Sequence, residues 1–211
     1  MTSRIPIIVV ASGRGSNFQA ICNAIVENHL HAKVLALVSN VRDCGVVQIA
    51  KSLNIPVIVI ENTKLTRAAH EELVLKELSK FQFEYIVLAG YMRIFSPTFI
   101  KEFSKDGFSK IINIHPSLLP SFQGMNAYAQ AVEYGVKCTG CTVHFVDELC
   151  DHGAIIEQAS FSLRGSESTE DCERIGIQLE NKFYPAALQK LFHSKWQILG
   201  SAENRPRVVF S

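Results

Sequence analysis

Apolar, β-branched segments recur along the chain and are separated by amphipathic stretches. The apolar segments cover residues 7–10, 34–38, 57–60, 85–89 and 111–114. Because these segments lack a strict apolar/polar alternation, they are typical of strands buried on both faces of a parallel sheet. The stretches between them predict helices that begin near Asn17 and cover residues 45–53 and 66–81. The pattern therefore predicts an α/β fold, in which a mostly parallel twisted sheet carries helices on both faces.

The pattern changes in the last third of the chain. Segments 139–146 and 154–161 resemble the two arms of a hairpin, so antiparallel strands are expected here. An amphipathic helix is predicted over 169–192. Pro185 should interrupt or bend it, because proline lacks a backbone N–H and clashes with the preceding turn. Residues 207–210 predict either a short strand or a loose tail.

Length and charge narrow the class of protein. A chain of 211 residues suits one well-packed domain, 1–211. Hydrophobic residues make up 47% and charged residues 19% of the chain, as in ordinary globular proteins. The net charge of +1 gives no electrostatic reason to expect binding to nucleic acid or to a membrane surface.

Cysteine usage and the first residues bear on location. Six cysteines are scattered among apolar positions, which favours reduced thiols over a disulfide framework. No signal peptide is expected, because a strand-like segment begins at Ile5, and the apolar run 7–11 is far too short to cross a bilayer. We therefore expect a cytoplasmic protein.

Two polar residues stand at the end of the fifth apolar segment. Side chains alternate along a strand, so Asn113 and His115 should point to the same face, and Pro116 should end the strand. Open α/β sheets bind ligands at such strand ends. An asparagine amide can donate to a developing oxyanion, and a histidine can supply a proton near neutral pH. By itself, the pair also fits a polar strand end capped by a turn.

A glycine-rich loop, Ser12-Gly-Arg-Gly-Ser-Asn17, follows the first apolar segment. Its glycines would let the backbone approach an anion, and Ser16 or Asn17 could cap the helix behind it. A dinucleotide-binding loop would need glycine at Phe18 and an acidic residue after the second strand, where Asn40 stands. The loop is therefore either a phosphate site or a plain turn.

Several metal-ligand types cluster between residues 138 and 152. Cys138 and Cys141 lie an odd number of positions apart on a predicted strand, so their side chains should face opposite sides. His144, Cys150 and His152 complete no recognised zinc pattern, and no metal is expected. His144 could either face the polar strand end or have a purely structural role.

The segment 113–120, Asn-Ile-His-Pro-Ser-Leu-Leu-Pro, followed by Gly124 and by Asp151, resembles the folate-dependent formyltransferases. The resemblance runs from the 12–17 loop to Glu180 and beyond. It implies a single Rossmann-like domain with a phosphate-binding half, 1–110, and a catalytic and folate-binding half, 111–211. It implies small-molecule substrates, with 10-formyltetrahydrofolate as formyl donor and glycinamide ribonucleotide as acceptor, no metal, and a place in purine synthesis. It also raises the expectation of a cis bond before Pro120. A monomer or a homodimer is expected.

The resemblance assigns roles to particular residues. It implies that catalysis rests on Asn113, His115 and Asp151. It implies that glycinamide ribonucleotide is bound by Gly15, Ser16, Asn17 and Glu180. It implies that folate is bound by Arg67, Met92, Arg93, Ile94, Phe95 and Asn113.

A carboxylate is expected beside His115, and one residue, Tyr128, departs from the family pattern. Histidine has a reference pKa of about 6.5, so a nearby carboxylate would help to keep His115 protonated. Asp147 is a local rival, but Asp151 precedes x-Gly as in the family. Tyr128 stands where family members commonly carry histidine, so loop closure or cofactor affinity could differ.

Other functions fit the residues less well. A formyltetrahydrofolate hydrolase would use the same Asn/His/Asp group but usually carries a preceding regulatory domain, and a methionyl-tRNA formyltransferase would need a further C-terminal domain. A catalytically silent folate- or nucleotide-binding protein would not need an intact Asn113, His115 and Asp151. Phe18 and the missing acidic residue argue against a nicotinamide-dependent oxidoreductase.

Overall fold

The structure is a computed structural model that describes residues 4–105, 108–200 and 206–211. The chain divides into two compact units, residues 1–112 and 113–211. The single-domain organisation expected from the sequence stays a prediction. In the described part of the chain, no helix has the length and apolar character needed to cross a membrane.

The first unit is built around parallel strands. These are β1 (Ile5–Val10), β2 (Ala32–Ser39), β3 (Val57–Val59) and β4 (Tyr85–Leu88), and their order is β3-β2-β1-β4. The helices are α1 (Ser16–Val26), α2 (Gly45–Ser52), α3 (Arg67–Leu78) and α4 (Pro97–Glu102). A short antiparallel pair, β5 (Ser104–Lys105) and β6 (Phe108–Ser109), follows α4.

Strand β1 shows why these residues form a central parallel strand. It pairs with β2 on one side and with β4 on the other, and successive side chains from Ile7 to Val10 are at most 1% exposed. Both faces of the strand are therefore covered, which explains why its apolar residues do not alternate with polar ones. Each such side chain contributes roughly 1.5–3 kcal/mol when fully buried.

The second unit contains antiparallel strands. Strand β7 (Ile111–His115) begins in the first unit and ends in the second. After it come α5 (Ala127–Tyr134), β8 (Cys138–Phe145), β9 (Ile155–Ser162), α6 (Thr169–His193), β10 (Trp196–Leu199) and β11 (Arg207–Phe210). The pairs β8–β9 and β10–β11 are both antiparallel, and α6 packs against α5, β8 and β9.

These elements confirm the predicted fold class: a mostly parallel sheet with helices and antiparallel strands near the C-terminus. The predicted hairpin is present as β8–β9, and residues 207–210 form a strand paired with β10. The predicted interruption at Pro185 is wrong, because α6 is one helix from Thr169 to His193, whereas the alternative, a bend at Pro185, stays a prediction. Pro185 is buried beside Tyr184 and Leu188, both 0% exposed, and this packing offsets the hydrogen bond that proline cannot make.

Candidate active site

His115 is held from both ring nitrogens at the end of β7. Its side chain is buried, and Nε2 lies 2.8 Å from the carbonyl oxygen of Phe122. A carbonyl only accepts, so Nε2 carries a hydrogen and donates it. Nδ1 lies 3.4 Å from Oδ2 of Asp151. Both nitrogens therefore face acceptor atoms, an arrangement that an imidazolium, with a donor on each nitrogen, satisfies fully.

Asp151 is fixed by its backbone and by a neighbouring loop. Its φ of 51° lies in the left-handed region, which aspartate tolerates better than most residues. The backbone N–H of Gly124 donates to Oδ2 at 2.9 Å, and the thiol of Cys150 donates to the same oxygen at 3.4 Å. The side chain is 12% exposed, so little water competes for the carboxylate.

The rival carboxylate, Asp147, is engaged elsewhere. Its Oδ2 lies 2.9 Å from Nδ1 of His152, and its Oδ1 accepts a hydrogen bond of 3.1 Å from the backbone N–H of Leu149. Asp151, and not Asp147, is therefore the carboxylate that contacts His115.

His144 belongs to the same cluster. Its Nδ1 lies 2.9 Å from the carbonyl of Phe145, and its Nε2 lies 3.3 Å from the amide nitrogen of Asn113 and 3.8 Å from Oδ1 of Asp151. Burial lowers the pKa of His144 to about 4, although the Phe145 carbonyl and the charge of Asp151 favour protonation. A neutral ring with its hydrogen on Nδ1 accepts from Asn113 and fixes the direction of that amide.

The loop between β7 and α5 places the groups that hold His115 and Asp151. The hydroxyl of Thr142, on β8, donates to the carbonyl of Ser117 at 2.6 Å and accepts from the backbone N–H of Leu119 at 3.0 Å. The Ser117 hydroxyl in turn donates to the carbonyl of Ser121 at 2.5 Å. The peptide bond between Leu119 and Pro120 is cis, a point that the sequence left open. Sequence reasoning missed Thr142, because a threonine on a strand carries no signal of such a contact.

In the first unit, the glycine-rich loop is shaped by its backbone. Gly15 has a φ of 89° and is the N-cap of α1, so the prediction that Ser16 or Asn17 caps the helix is wrong. A Cβ at Gly15 would lie 2.8 Å from Cα of Val46, which leaves room only for glycine. The first turn of a helix carries N–H groups that no earlier helical carbonyl can bind, and this turn opens directly onto the loop.

The predicted folate residues 92–95 form one anchored segment. Met92 and Ile94 are 75% and 58% exposed, whereas Phe95 is buried and stacks on Phe99 with 4.1 Å between ring centroids. Exposed apolar side chains beside a buried anchor are suited to contact an apolar ligand ring.

Glu71 fixes the end of that segment. Its Oε1 accepts a hydrogen bond of 2.7 Å from the backbone N–H of Ser96, and its Oε2 accepts from the Ser96 hydroxyl. Arg67 is exposed one turn earlier on the same face of α3. Sequence reasoning missed the role of Glu71.

Glu180, on α6, is buried and paired. The hydroxyl of Tyr128 donates to its Oε1 at 2.6 Å, and each residue is 7% exposed. Among the described residues, no group of three or more His, Cys, Asp or Glu side chains could hold a metal ion.

The polar cluster at the end of β7 contains Asn113, His115 and Asp151. A comparison of the whole chain with known families points to the same family as the sequence resemblance does. The family model for formyl transferases matches residues 5–188. This chain belongs to the formyl transferase family. The matched range covers both the glycine-rich loop and the polar cluster at the end of β7.

Individual relatives of the formyl transferase family are similar over most of the chain. Phosphoribosylglycinamide formyltransferase of Bacillus subtilis is 39% identical over 184 residues, which cover 87% of this chain and 92% of that protein. The crystal structure of glycinamide ribonucleotide transformylase 1 from Symbiobacterium toebii is 32% identical, with a TM-score of 0.90 over 100% of this chain and 95% of that one. A formyltetrahydrofolate deformylase from Pseudomonas syringae is 25% identical, with a TM-score of 0.86 over 99% of this chain and 66% of that one.

Proposed function

We propose that this protein is a phosphoribosylglycinamide formyltransferase, which passes the formyl group of 10-formyltetrahydrofolate to the amine of glycinamide ribonucleotide in purine biosynthesis. The observation that carries the proposal is the contact of 3.4 Å between His115 Nδ1 and Asp151 Oδ2 beside the Asn113 amide, in a chain with these relatives. The donor is a folate-derived formyl carrier, as the family implies.

The reaction begins when the substrate amine attacks the formyl carbon. A carbon–nitrogen bond forms, and negative charge collects on the formyl oxygen in a tetrahedral intermediate. Asn113 holds one amide hydrogen on His144, and its second hydrogen can be donated to that oxygen. When the intermediate collapses, the bond to the folate nitrogen breaks, and the proton lost by the amine ends on that nitrogen.

His115 supplies the second donor in this mechanism. It exchanges its Nε2–H bond to the Phe122 carbonyl for one to the oxyanion, while Asp151 holds Nδ1. Hydrogen bonds of catalytic groups often rearrange when substrate binds, so the bond to Phe122 is compatible with this role. Asp151 also stabilises the positive charge of the ring and can order the water that relays the proton.

The remaining assignments follow from the family resemblance. We propose that Gly15, Ser16, Asn17 and Glu180 bind glycinamide ribonucleotide. The left-handed Gly15 and the helix turn behind it support the phosphate role of this loop. We propose that Arg67, Met92, Arg93, Ile94, Phe95 and Asn113 bind folate, which the exposed apolar side chains of residues 92 and 94 support. A cytoplasmic location, the absence of a metal, and a monomeric or homodimeric state remain predictions.

The test measures formyl transfer from 10-formyltetrahydrofolate with and without glycinamide ribonucleotide. We expect turnover that requires the acceptor and that is lost in Asp151→Asn. Asp147→Asn is the matched control, because the same change is made in a carboxylate that pairs with His152 instead. Deformylation that ignores the acceptor would establish the hydrolase instead, and equal losses in the two variants would remove the special role of Asp151.

A further inference from the structure

Tyr128 and Glu180 form a short hydrogen bond away from water. The Tyr128 hydroxyl donates to Oε1 of Glu180 at 2.6 Å, and both residues are 7% exposed. A bond of this length to a carboxylate is charge-assisted and therefore stronger than one between neutral groups. Burial, and then the charge of Glu180, raise the pKa of Tyr128, so its hydroxyl remains a donor throughout the working pH range.

Gly176 makes room for the hydroxyl end of this tyrosine. A Cβ at Gly176 would lie 2.1 Å from both Cζ and the hydroxyl oxygen of Tyr128. Glycine is unfavourable within a helix, and Gly176 lies inside α6, so its presence requires a local reason. The close approach of the tyrosine ring supplies that reason.

The rest of the ring is packed in the core of the second unit. Tyr128 forms a buried cluster with Leu163 and Cys172, and its ring centroid lies 6.5 Å from that of Phe161. This packing gives the hydroxyl a fixed position. The carboxylate of Glu180 therefore meets a donor whose direction is set before any substrate binds.

We propose that Tyr128 is a positioning residue for glycinamide ribonucleotide: its hydroxyl orients the carboxylate of Glu180 for the substrate, and Gly176 admits the tyrosine ring. The proposal rests on the proposed function, in which Glu180 binds this substrate. A carboxylate held in one orientation accepts hydrogen bonds from substrate donors without first losing rotational freedom. Tyr128 acts through Glu180 and does not itself need to touch the substrate.

Tyr128→Phe separates this role from packing, because it keeps the ring and removes only the hydroxyl. We expect the KM for glycinamide ribonucleotide to rise about tenfold or more, since the carboxylate loses a charge-assisted hydrogen bond. The kcat and the KM for 10-formyltetrahydrofolate should stay within about twofold. Tyr134→Phe is the matched control on the same helix, because Tyr134 is 80% exposed, and this change should alter none of the three constants.

A second pair of variants tests the role of Gly176. In the presence of Tyr128, Gly176→Ala should raise the KM for glycinamide ribonucleotide, because the added Cβ displaces the hydroxyl. Tyr128→His puts a smaller ring with a hydrogen-bond donor at this position. In that background, Gly176→Ala should change the KM by less than about twofold, a coupling that independent sites would not show.

The kinetic constants and the melting temperature of each variant test the positioning role of Tyr128. An unchanged KM for glycinamide ribonucleotide in Tyr128→Phe would overturn the proposal. So would a parallel rise of both KM values with a lowered melting temperature, because that pattern indicates a general loss of packing. If the unmodified protein fails to formylate glycinamide ribonucleotide at all, the proposed function itself is contradicted and the role of Tyr128 falls with it.

Discussion

The polar cluster around His115 and the glycine-rich loop are ordered by different means. In the cluster, side chains hold one another: Asn113 contacts His144 at 3.3 Å, and Asp151 lies 3.4 Å from His115. In the loop, the backbone does this work, because Gly15 has a φ of 89° and lies too close to Val46 for any side chain. Formyl transfer needs particular donor atoms and charges, whereas anion binding needs only correctly placed N–H groups.

This difference separates the expected effects of substitutions. Removing a side chain from the cluster should lower the rate of the chemical step. Adding a side chain to the loop should instead lower stability, because the backbone can no longer adopt its conformation.

The largest effect is expected for Asn113→Ala. Because we propose Asn113 as an oxyanion donor, its loss should lower kcat about 10²–10³-fold, which corresponds to about 2.7–4 kcal/mol of transition-state stabilisation. Single-turnover rates at saturating concentrations of both substrates measure the chemical step directly. Asn23→Ala, an exposed position on α1, provides the control and should leave the rate unchanged. If Asn113→Ala instead raises only KM and leaves the saturated rate unchanged, Asn113 acts in substrate binding and not in the chemical step. That result would contradict the difference drawn here between the cluster and the loop.

Gly15→Ala should have the next largest effect, on stability. The left-handed φ and the distance of 2.8 Å to Val46 Cα together should cost about 2–3 kcal/mol of the free energy of unfolding. Gly13→Ala is the matched control, because a Cβ there would meet no described atom within 4 Å. Urea unfolding of both variants measures the difference. Equal values for the two variants would refute the idea that the left-handed backbone at Gly15 is the main constraint on this loop.

His144 should make stability depend on pH. Its pKa falls from the ordinary value of 6.5 to about 4 in the folded protein, so between these values the unfolded chain binds a proton that the folded protein does not. His144 therefore lowers the free energy of unfolding as the pH falls from about 6.5 towards 4, and at pH 5 this decrease should be about 2 kcal/mol. Above about pH 6.5, His144 no longer lowers the free energy of unfolding, because its ring is neutral in both the folded and the unfolded protein.

The measurement compares urea unfolding at pH 8 and pH 5. His144→Gln should lose this part of the pH dependence, because glutamine does not titrate. The unmodified protein, measured at the same two pH values, is the reference for this comparison. An unchanged pH dependence in His144→Gln would show that burial does not keep this ring neutral.

The sequence predicted the strands and the cluster well for identifiable reasons. The β-branched residues of β1 and of the start of β7 form apolar runs that are typical of buried strands, and strand alternation brings Asn113 and His115 to one face. The choice of Asp151 over Asp147 came from the family resemblance. Its physical support is the contact between Asp151 and His115, which no local sequence pattern predicts.

Other features could not be predicted because they depend on tertiary packing. The position of His144 in the cluster requires β8 to lie beside β7, which no local pattern states. The continuity of α6 through Pro185 depends on buried neighbours that override the local penalty of proline. The N-cap at Gly15 was missed because capping propensities favour serine and asparagine, whereas a left-handed residue beside Val46 admits only glycine.

The smallest expected effect tests a place where a side chain helps to order the loop region. The hydroxyl of Ser12 donates to Oδ1 of Asn40 at 2.6 Å and accepts from the backbone N–H of Met92 at 3.2 Å. Ser12→Ala leaves both partners without this hydroxyl and should lower the free energy of unfolding by about 1 kcal/mol. Ser52→Ala, at an exposed hydroxyl near the end of α2, should change it by less than about 0.5 kcal/mol.

A loss in Ser12→Ala as large as that in Gly15→Ala would break the distinction between the two regions. It would mean that a side-chain network, and not the backbone, determines the shape of the glycine-rich loop. A loss of about 1 kcal/mol, well below that of Gly15→Ala, would support the distinction, because the left-handed glycine would then be the stronger constraint on the loop.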